Sequence, residues 1–464
     1  MFSVESITSS VLKDDIAHFI EHIEGNLQKH SPSSHSRTDK ECELLESLPG
    51  ILQMFTTVVQ LQFDSGKDCK SSSQKLLHAS IKFLKTSCAH GRAQQEVIAN
   101  REGVFEAIRT IIEQSEDETA KKWSWHLLVN IIVDNVASLI VLWDSLGSYI
   151  LAKMSETHEN SGTNAAVLFN CFRIALESGV EEIPTVEIFR CMIEVLQKNV
   201  ESAESSRMDF VHLCFEYLIT ESVKFKEIYS QLDGHDRIWT IFYITDHVKD
   251  DREPRVTETV LNSLPGEFNR KSERYLNSRC SEYEEDDAKE LMALLRCIVT
   301  ITGSEKYAKI YNAETSLFIN TGALLDTVHR ISTQEGSAFS PLGKLEDFSS
   351  KSAEAQEAEK EVFFELKTLL VRLMANLCHK NRKNQDLARE LKFLLTICGC
   401  TTMDARNPMM KEWAIVALKN VLEGNAENQS IIASLVNTGP AANSVLSELT
   451  MENGTVRINR NQKP

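Results

Sequence analysis

Two stretches near the C-terminus repeat one another at a constant offset of 44 residues, which constrains the fold more than any other feature of the chain. Asn376, Asn381, Asn384 and Gln385 fall on Asn420, Asn425, Asn428 and Gln429, and the apolar positions between them match in kind. A period near 44 lies in the range of about 40–47 residues shared by armadillo and HEAT arrays. Weaker copies occur upstream. Leu127-Leu-Val-Asn130-Ile131-Ile-Val-Asp-Asn135 keeps the Asn-to-Asn step, Val167-Leu-Phe-Asn170-Cys171 keeps its first Asn, and Cys88 to Glu96 follows Cys378 to Asp386 with Gly and Gln in place of Asn. No repeat of this kind buries its apolar face alone, so the expected class is all-α, an armadillo/HEAT-like α-solenoid of stacked helical repeats.

Helical periodicity runs through most of the chain. Ile16, Phe19, Ile20, Ile23 and Leu27 share one helix face, as do Leu77, Ile81, Leu84 and Cys88, and later Leu291, Leu294, Leu295 and Ile298. Only 9 Pro and 18 Gly punctuate 464 residues, which favours long helices over a many-turned β architecture. Polar stretches divide the chain, and the expected organisation follows from them. It comprises degenerate N-terminal repeats over 1–248, a mixed region over 249–360 with a helical segment near 288–330, a C-terminal repeat block over 361–450, and a disordered tail over 451–464. The acidic run Glu282–Asp287 reads as a solvated linker.

Charge and composition exclude several functions. A formal net charge of −17 opposes phosphate neutralisation, so nucleic acid is not an expected partner. Membrane insertion is not expected either, because no run of about 18 uncharged apolar residues is present. The first twenty residues lack a basic segment ahead of an apolar one, so no secretory signal is predicted. Eleven scattered cysteines then read as reduced thiols in a cytoplasmic setting. No phosphate-binding glycine loop, His-Glu-x-x-His or Cys-x-x-Cys pattern occurs. Cys378-His379 with Cys398 and Cys400 has the wrong spacing for structural zinc, and Cys378 sits on an apolar stripe. The His18 and His22 pair reads as a solvated helix face. No catalytic residue, cofactor or metal is assigned.

The repeat residues carry two kinds of role. Asn381, Asn425 and Gly91 are expected to close helices in the left-handed conformation, with Asn384 and Asn428 capping the helices that follow. The inner asparagines Asn130, Asn170, Asn376 and Asn420 lie within apolar helical stretches, where Asn has poor propensity. Two readings stand side by side. Either these amides line a groove and hold a partner's extended backbone, or they are buried and bond the neighbouring repeat. In Asp404-Ala-Arg-Asn407-Pro408, Asn407 is expected to cap a helix whose first position is Pro408. Trp413 then packs between repeats or anchors a partner.

From Leu369 to Ala433 the segments RLMANLCHKNRKNQD, D-x-x-N-P-x-x-x-E-W and ALKNVLEGNAENQ closely resemble the C-terminal domain of the ataxin-10 family. Upstream the likeness is confined to Cys88–Ile111 and Leu127–Asn135, which marks a divergent member. The resemblance implies a non-catalytic, armadillo-like protein-binding scaffold. It further implies roles in cytokinesis, centrosomes and ciliary basal bodies, neurite outgrowth and neuronal survival, and a cytoplasmic, perinuclear or midbody location. Self-association, G-protein β subunits and the O-GlcNAc transferase are the partners it implies. The alternative is a regulatory subunit that modulates a partner enzyme or G-protein signalling through its polar segments, Ser332–Lys360 above all.

Overall fold

A computed structural model describes residues 37–64, 70–154, 156, 161–198, 205–277, 285–333, 339–341, 361–435, 449–452 and 455–458. The expected helix over Ile16–Leu27, with His18 and His22, lies outside these, as do 334–338 and 342–360 of the polar segment and 282–284 of the acidic run. The chain forms two compact units, 1–224 and 225–464. This division falls earlier than the 248/249 boundary expected from the sequence.

The first unit holds α1 (Arg37–Asp64), α2 (Lys70–Cys88), α3 (Arg92–Ala99), α4 (Val104–Gln114), α5 (Glu118–Ile132), α6 (Val136–Met154), α7 (Ser161–Ser178), α8 (Thr185–Lys198) and α9 (Ser205–Thr220). Helices α2, α5, α7 and α9 stack in succession as a ladder, and the others pack behind them. Helix α4 shows why. Val104, Phe105, Ile108, Ile111 and Ile112 form one buried stripe, each large side chain contributing roughly 1.5–3 kcal/mol on leaving water. Asp117 caps α5 by accepting from the backbone N–H groups of Thr119 and Ala120. Helix α6 is long and apolar enough to cross a membrane by length and composition, which the sequence reading did not anticipate. Its Leu139, Leu142, Leu146, Ile150 and Met154 are buried where it packs against α5, α7 and α8.

The second unit holds α10 (Phe225–Gln231), α11 (Gly234–Lys249), α12 (Glu258–Asn277), α13 (Glu285–Gly303), α14 (Thr315–Ser332), α15 (Leu366–Cys378), α16 (Arg382–Glu390), α17 (Phe393–Gly399), α18 (Met410–Leu422) and α19 (Ala426–Ser434). Here α11, α13, α15 and α18 form the ladder. Full three-helix repeats span α3–α5 in the first unit and α16–α18 in the second. Close approach is enforced at Gly322 on α14, where an added Cβ would stand 2.3 Å from the Phe393 ring of α17.

Three sequence expectations give way here. The polar stretch 249–287 is largely helical, because Val260, Leu261, Leu264 and Phe268 make a buried stripe through its charges. Pro265 lies inside that helix and cannot donate to the Leu261 carbonyl, so the buried Tyr311 hydroxyl does so at 2.7 Å. Glu285, Asp286 and Asp287 are not linker but the first turn of α13, where the helix dipole favours them. Asp287 also pairs with Lys271 at 2.7 Å. Within and just before the stretch expected as a disordered tail, the described residues of β1 (Leu449–Glu452) and β2 (Thr455–Ile458) pair antiparallel. The alternation of Thr, Val and Ile around an Asn-Gly dipeptide is the sequence signal for it.

Unit two is also cross-linked through Glu290, whose side chain is 0% exposed. It accepts from Arg237 at 2.9 and 3.1 Å and from the Tyr229 hydroxyl at 3.2 Å, and pairs with Lys271 at 2.6 Å. One carboxylate thus ties α10, α11, α12 and α13 together, and burial beside it drives the Tyr229 hydroxyl pKa far up.

Candidate functional site

A helix leaves its last four carbonyls without intrahelical partners, and a buried orphan costs roughly 1–3 kcal/mol. The repeat asparagines and glutamines answer this need. At the end of α15, the Ala375 carbonyl accepts from Asn420 Nδ2 at 2.9 Å and the Asn376 carbonyl from the His379 N–H at 3.2 Å. The Leu377 carbonyl accepts from Asn384 Nδ2 at 2.9 Å, and that of Cys378 from the Asn381 N–H and Gln385 Nε2. Helix α18 ends the same way. Its Lys419 and Leu422 carbonyls take the Glu423 and Asn425 N–H groups, that of Asn420 takes Gln385 Nε2, and that of Val421 takes Asn428 Nδ2.

The helix-closing residues differ from expectation by one place. Asn381 and Asn425 are not left-handed C-terminal residues but N-caps of α16 and α19, accepting from the Asn384 and Asn428 N–H groups. The left-handed residue is the preceding one, Lys380 at φ 52° or Gly424 at φ 66°. Asn384 and Asn428 are therefore no caps; they reach back to the helix before. Gly91 likewise is the N-cap of α3 and not a left-handed C-terminal residue, with φ 147° and ψ 179°.

The first unit repeats this design at a constant offset. Asn130 Nδ2 donates to the Lys85 carbonyl at 3.2 Å, and Gln95 Nε2 to the Asn130 carbonyl at 2.9 Å. Asn135 accepts from the Ser138 N–H after Asp134 at φ 54°. Asn376 reaches Thr302 Oγ1 at 3.0 Å and the Val299 carbonyl. Asn170 donates only to Ala166 of its own helix, at 2.8 Å. Asn130, Asn376 and Asn420 thus each bond a neighbouring helix through Nδ2 and Asn170 does not, while Asn130, Asn170 and Asn376 stay half-buried and Asn420 is buried.

Asn407 does not cap its own helix. Its Oδ1 accepts from the Lys367 N–H at the start of α15, while its Nδ2 holds Asp404. Asp404 pairs with Lys367 Nζ at 2.8 Å, both side chains 4% exposed or less. Pro408 offers its carbonyl to Thr368, and α18 begins at Met410. The D-x-x-N-P segment is thus a buried clamp on the start of α15. Cys378 and Cys400 are buried too, and burial pushes the Cys400 thiol up to about 12.

Trp413 on α18 and Trp123 on α5 each lie partly exposed on a ladder helix of their own unit, whereas Trp125 of α5 is buried. Trp413 is half-buried, with the Arg372 guanidinium of α15 stacked 4.7 Å from its ring centre. Burial lowers the Arg372 pKa. Trp123, which the sequence reading missed, stands seven residues before Asn130 as Trp413 stands before Asn420. Lys85 of α2, the ladder helix before α5, lies 5.8 Å from its ring centre. Pairing the two Trp-to-Asn spacings would have revealed it.

The Spinocerebellar ataxia type 10 protein domain matches residues 366–461. An ataxin-10 homolog from Dictyostelium discoideum is 42% identical over 94 residues, 19% of this chain and 15% of that protein. Ataxin-10 from Macaca fascicularis is 23% identical over 402 residues, 82% of this chain and 80% of the relative, and human ataxin-10 is 23% identical over 405 residues with the same coverage. High identity is local and low identity is extended. The chain is a divergent member of the ataxin-10 family. The ataxin-10 domain match covers α15 to α19, where the carbonyl-capping network and the D-x-x-N-P clamp lie, so the family's most legible segment is the one with the densest buried polar structure.

Proposed function

We propose that this ataxin-10 family member is a protein-binding scaffold without catalytic activity of its own, and that partners dock on the partly exposed ladder faces around Trp123 and Trp413. One observation carries the reading. The two tryptophans occupy equivalent positions in the two full three-helix repeats, and each holds a cation from the helix before it. The inner asparagines have their amide nitrogens engaged within the array, so rigid aromatic and cationic surface, rather than free amides, supplies the contacts. The setting proposed with it is the one implied by the family resemblance: a cytoplasmic protein of the centrosome, basal body or midbody, acting in cytokinesis and neurite outgrowth, with self-association, G-protein β subunits and the O-GlcNAc transferase as partners to test.

Affinity capture from native cells with the tagged full chain, wild type against Trp123→Ala and Trp413→Ala, tests the docking face. Loss of specific partners with unchanged helical circular dichroism supports it. Full recovery by both variants and by the double variant would sink it.

A further inference from the structure

The α2–α5 face carries a polar cluster that the capping network leaves unused. Lys85 of α2 is half-buried, with Nζ 3.4 Å from His126 Nδ1 and close over the Trp123 ring. Lys122, one turn before His126 on α5, is exposed. Burial first, then the Lys122 charge, lowers the Lys85 pKa; burial, Lys85 and Lys122 lower that of His126. An ammonium can only donate, so Lys85 donates to His126 Nδ1 and the ring's N–H is on Nε2. On one side of Trp123 the face thus presents two ammonium groups and an N–H, while His78, paired with Asp117, flanks the ring at 5.1 Å. Among the described residues, no carboxylate lies within ion-pairing distance of Lys85 or Lys122, whereas neighbouring Lys121 pairs with Glu118 at 2.7 Å. What sets this pair apart from other described lysines is their proximity to one another and to His126, each acting on its neighbours through its charge.

We infer that the Lys85, Lys122 and His126 cluster beside Trp123 binds a carboxylate side chain of an extended acidic segment in a partner protein. This rests on the scaffold reading above and deepens it by naming the chemistry one face selects. A single carboxylate accepts from an ammonium and an imidazole N–H at once, and adjoining apolar residues of the segment can cover the Trp123 ring. A nucleic acid or an anionic membrane would need a longer basic stripe, which a chain of net charge −17 opposes.

The test is fluorescence anisotropy with the full chain and a short labelled peptide of Ala and Leu carrying two Glu, beside counterparts with Gln or phosphoserine at those positions. The Glu peptide should bind about tenfold more tightly than the Gln peptide at low salt, as expected for a charge-assisted contact. The preference should vanish in Lys85→Gln/Lys122→Gln. Lys122→Glu, at an exposed position that leaves folding intact, should abolish it as well. Equal affinity for the Glu and Gln peptides, a preference that survives in these variants, or tighter capture of the phosphoserine peptide each overturns the inference. The scaffold reading fails separately, if Trp123→Ala and Trp413→Ala keep full partner recovery while the Glu preference holds.

Discussion

Each asparagine of the repeat is defined by the carbonyl it satisfies, so residues of one type differ sharply in value. Asn420 is 9% exposed and Asn428 0%, and their amides fill acceptor sites on Ala375, Val421 and Gln385. Asn420→Ala or Asn428→Ala should each lower stability by roughly 1–3 kcal/mol in urea unfolding, since buried acceptors are left empty. Asn170→Ala should change it by less than about 0.5 kcal/mol, because the Ala166 carbonyl keeps its helical partner. Equal costs at all three positions would contradict the capping account. At Asp117, burial raises the carboxyl pKa, but hydrogen bonds from Gln74, His78 and the Ala120 N–H outweigh that and hold it below the usual range. A depressed pKa in the fold means stability that is present above the unfolded value near 3.9 and lost as pH falls through the folded one. Asp117→Ala should therefore cost roughly 0.5–2 kcal/mol at pH 7, and the gap to wild type should close below about pH 4 in thermal melts taken across pH.

At the scale of elements, what could be read from the sequence depended on whether the deciding contact was local. The stripes of α2 and α13 are periodic within one helix, and so were visible. Helix α12 was not, because Pro265 argues for a break and the group that prevents it, Tyr311, lies far along the chain. The same holds for Asn407, whose partner is the N–H of Lys367 on another helix. Local propensity suggested a cap for α18, and the tertiary contact overrode it. Trp123 was hidden for a different reason, since its repeat replaces Asn with Gly and Gln and the match to the C-terminal copy is weak. Tyr311→Phe isolates the proline compensation. Removing one oxygen from a side chain that is 1% exposed leaves the Leu261 carbonyl without its donor, and should cost roughly 1–3 kcal/mol with the helical content retained. A melt unchanged from wild type would show that α12 tolerates Pro265 by another route.

Over the whole molecule the repeat pattern makes stability a sum of neighbour terms, because each ladder helix meets mainly the helices before and after it. The same carbonyl-capping geometry recurs in both units, around Asn130 in one and Asn420 in the other. Loss of one such bond should therefore be felt within its own unit. In native-state hydrogen exchange read by mass spectrometry, Asn130→Ala should speed exchange across α2, α5 and α7 while leaving α15 and α18 at wild-type rates. Asn420→Ala should do the reverse, and the double variant should reproduce both patterns, with stability losses adding to within about 0.5 kcal/mol. Faster exchange throughout the chain from either single change would mean that the two units unfold as one cooperative block, and the neighbour-sum description would then fail.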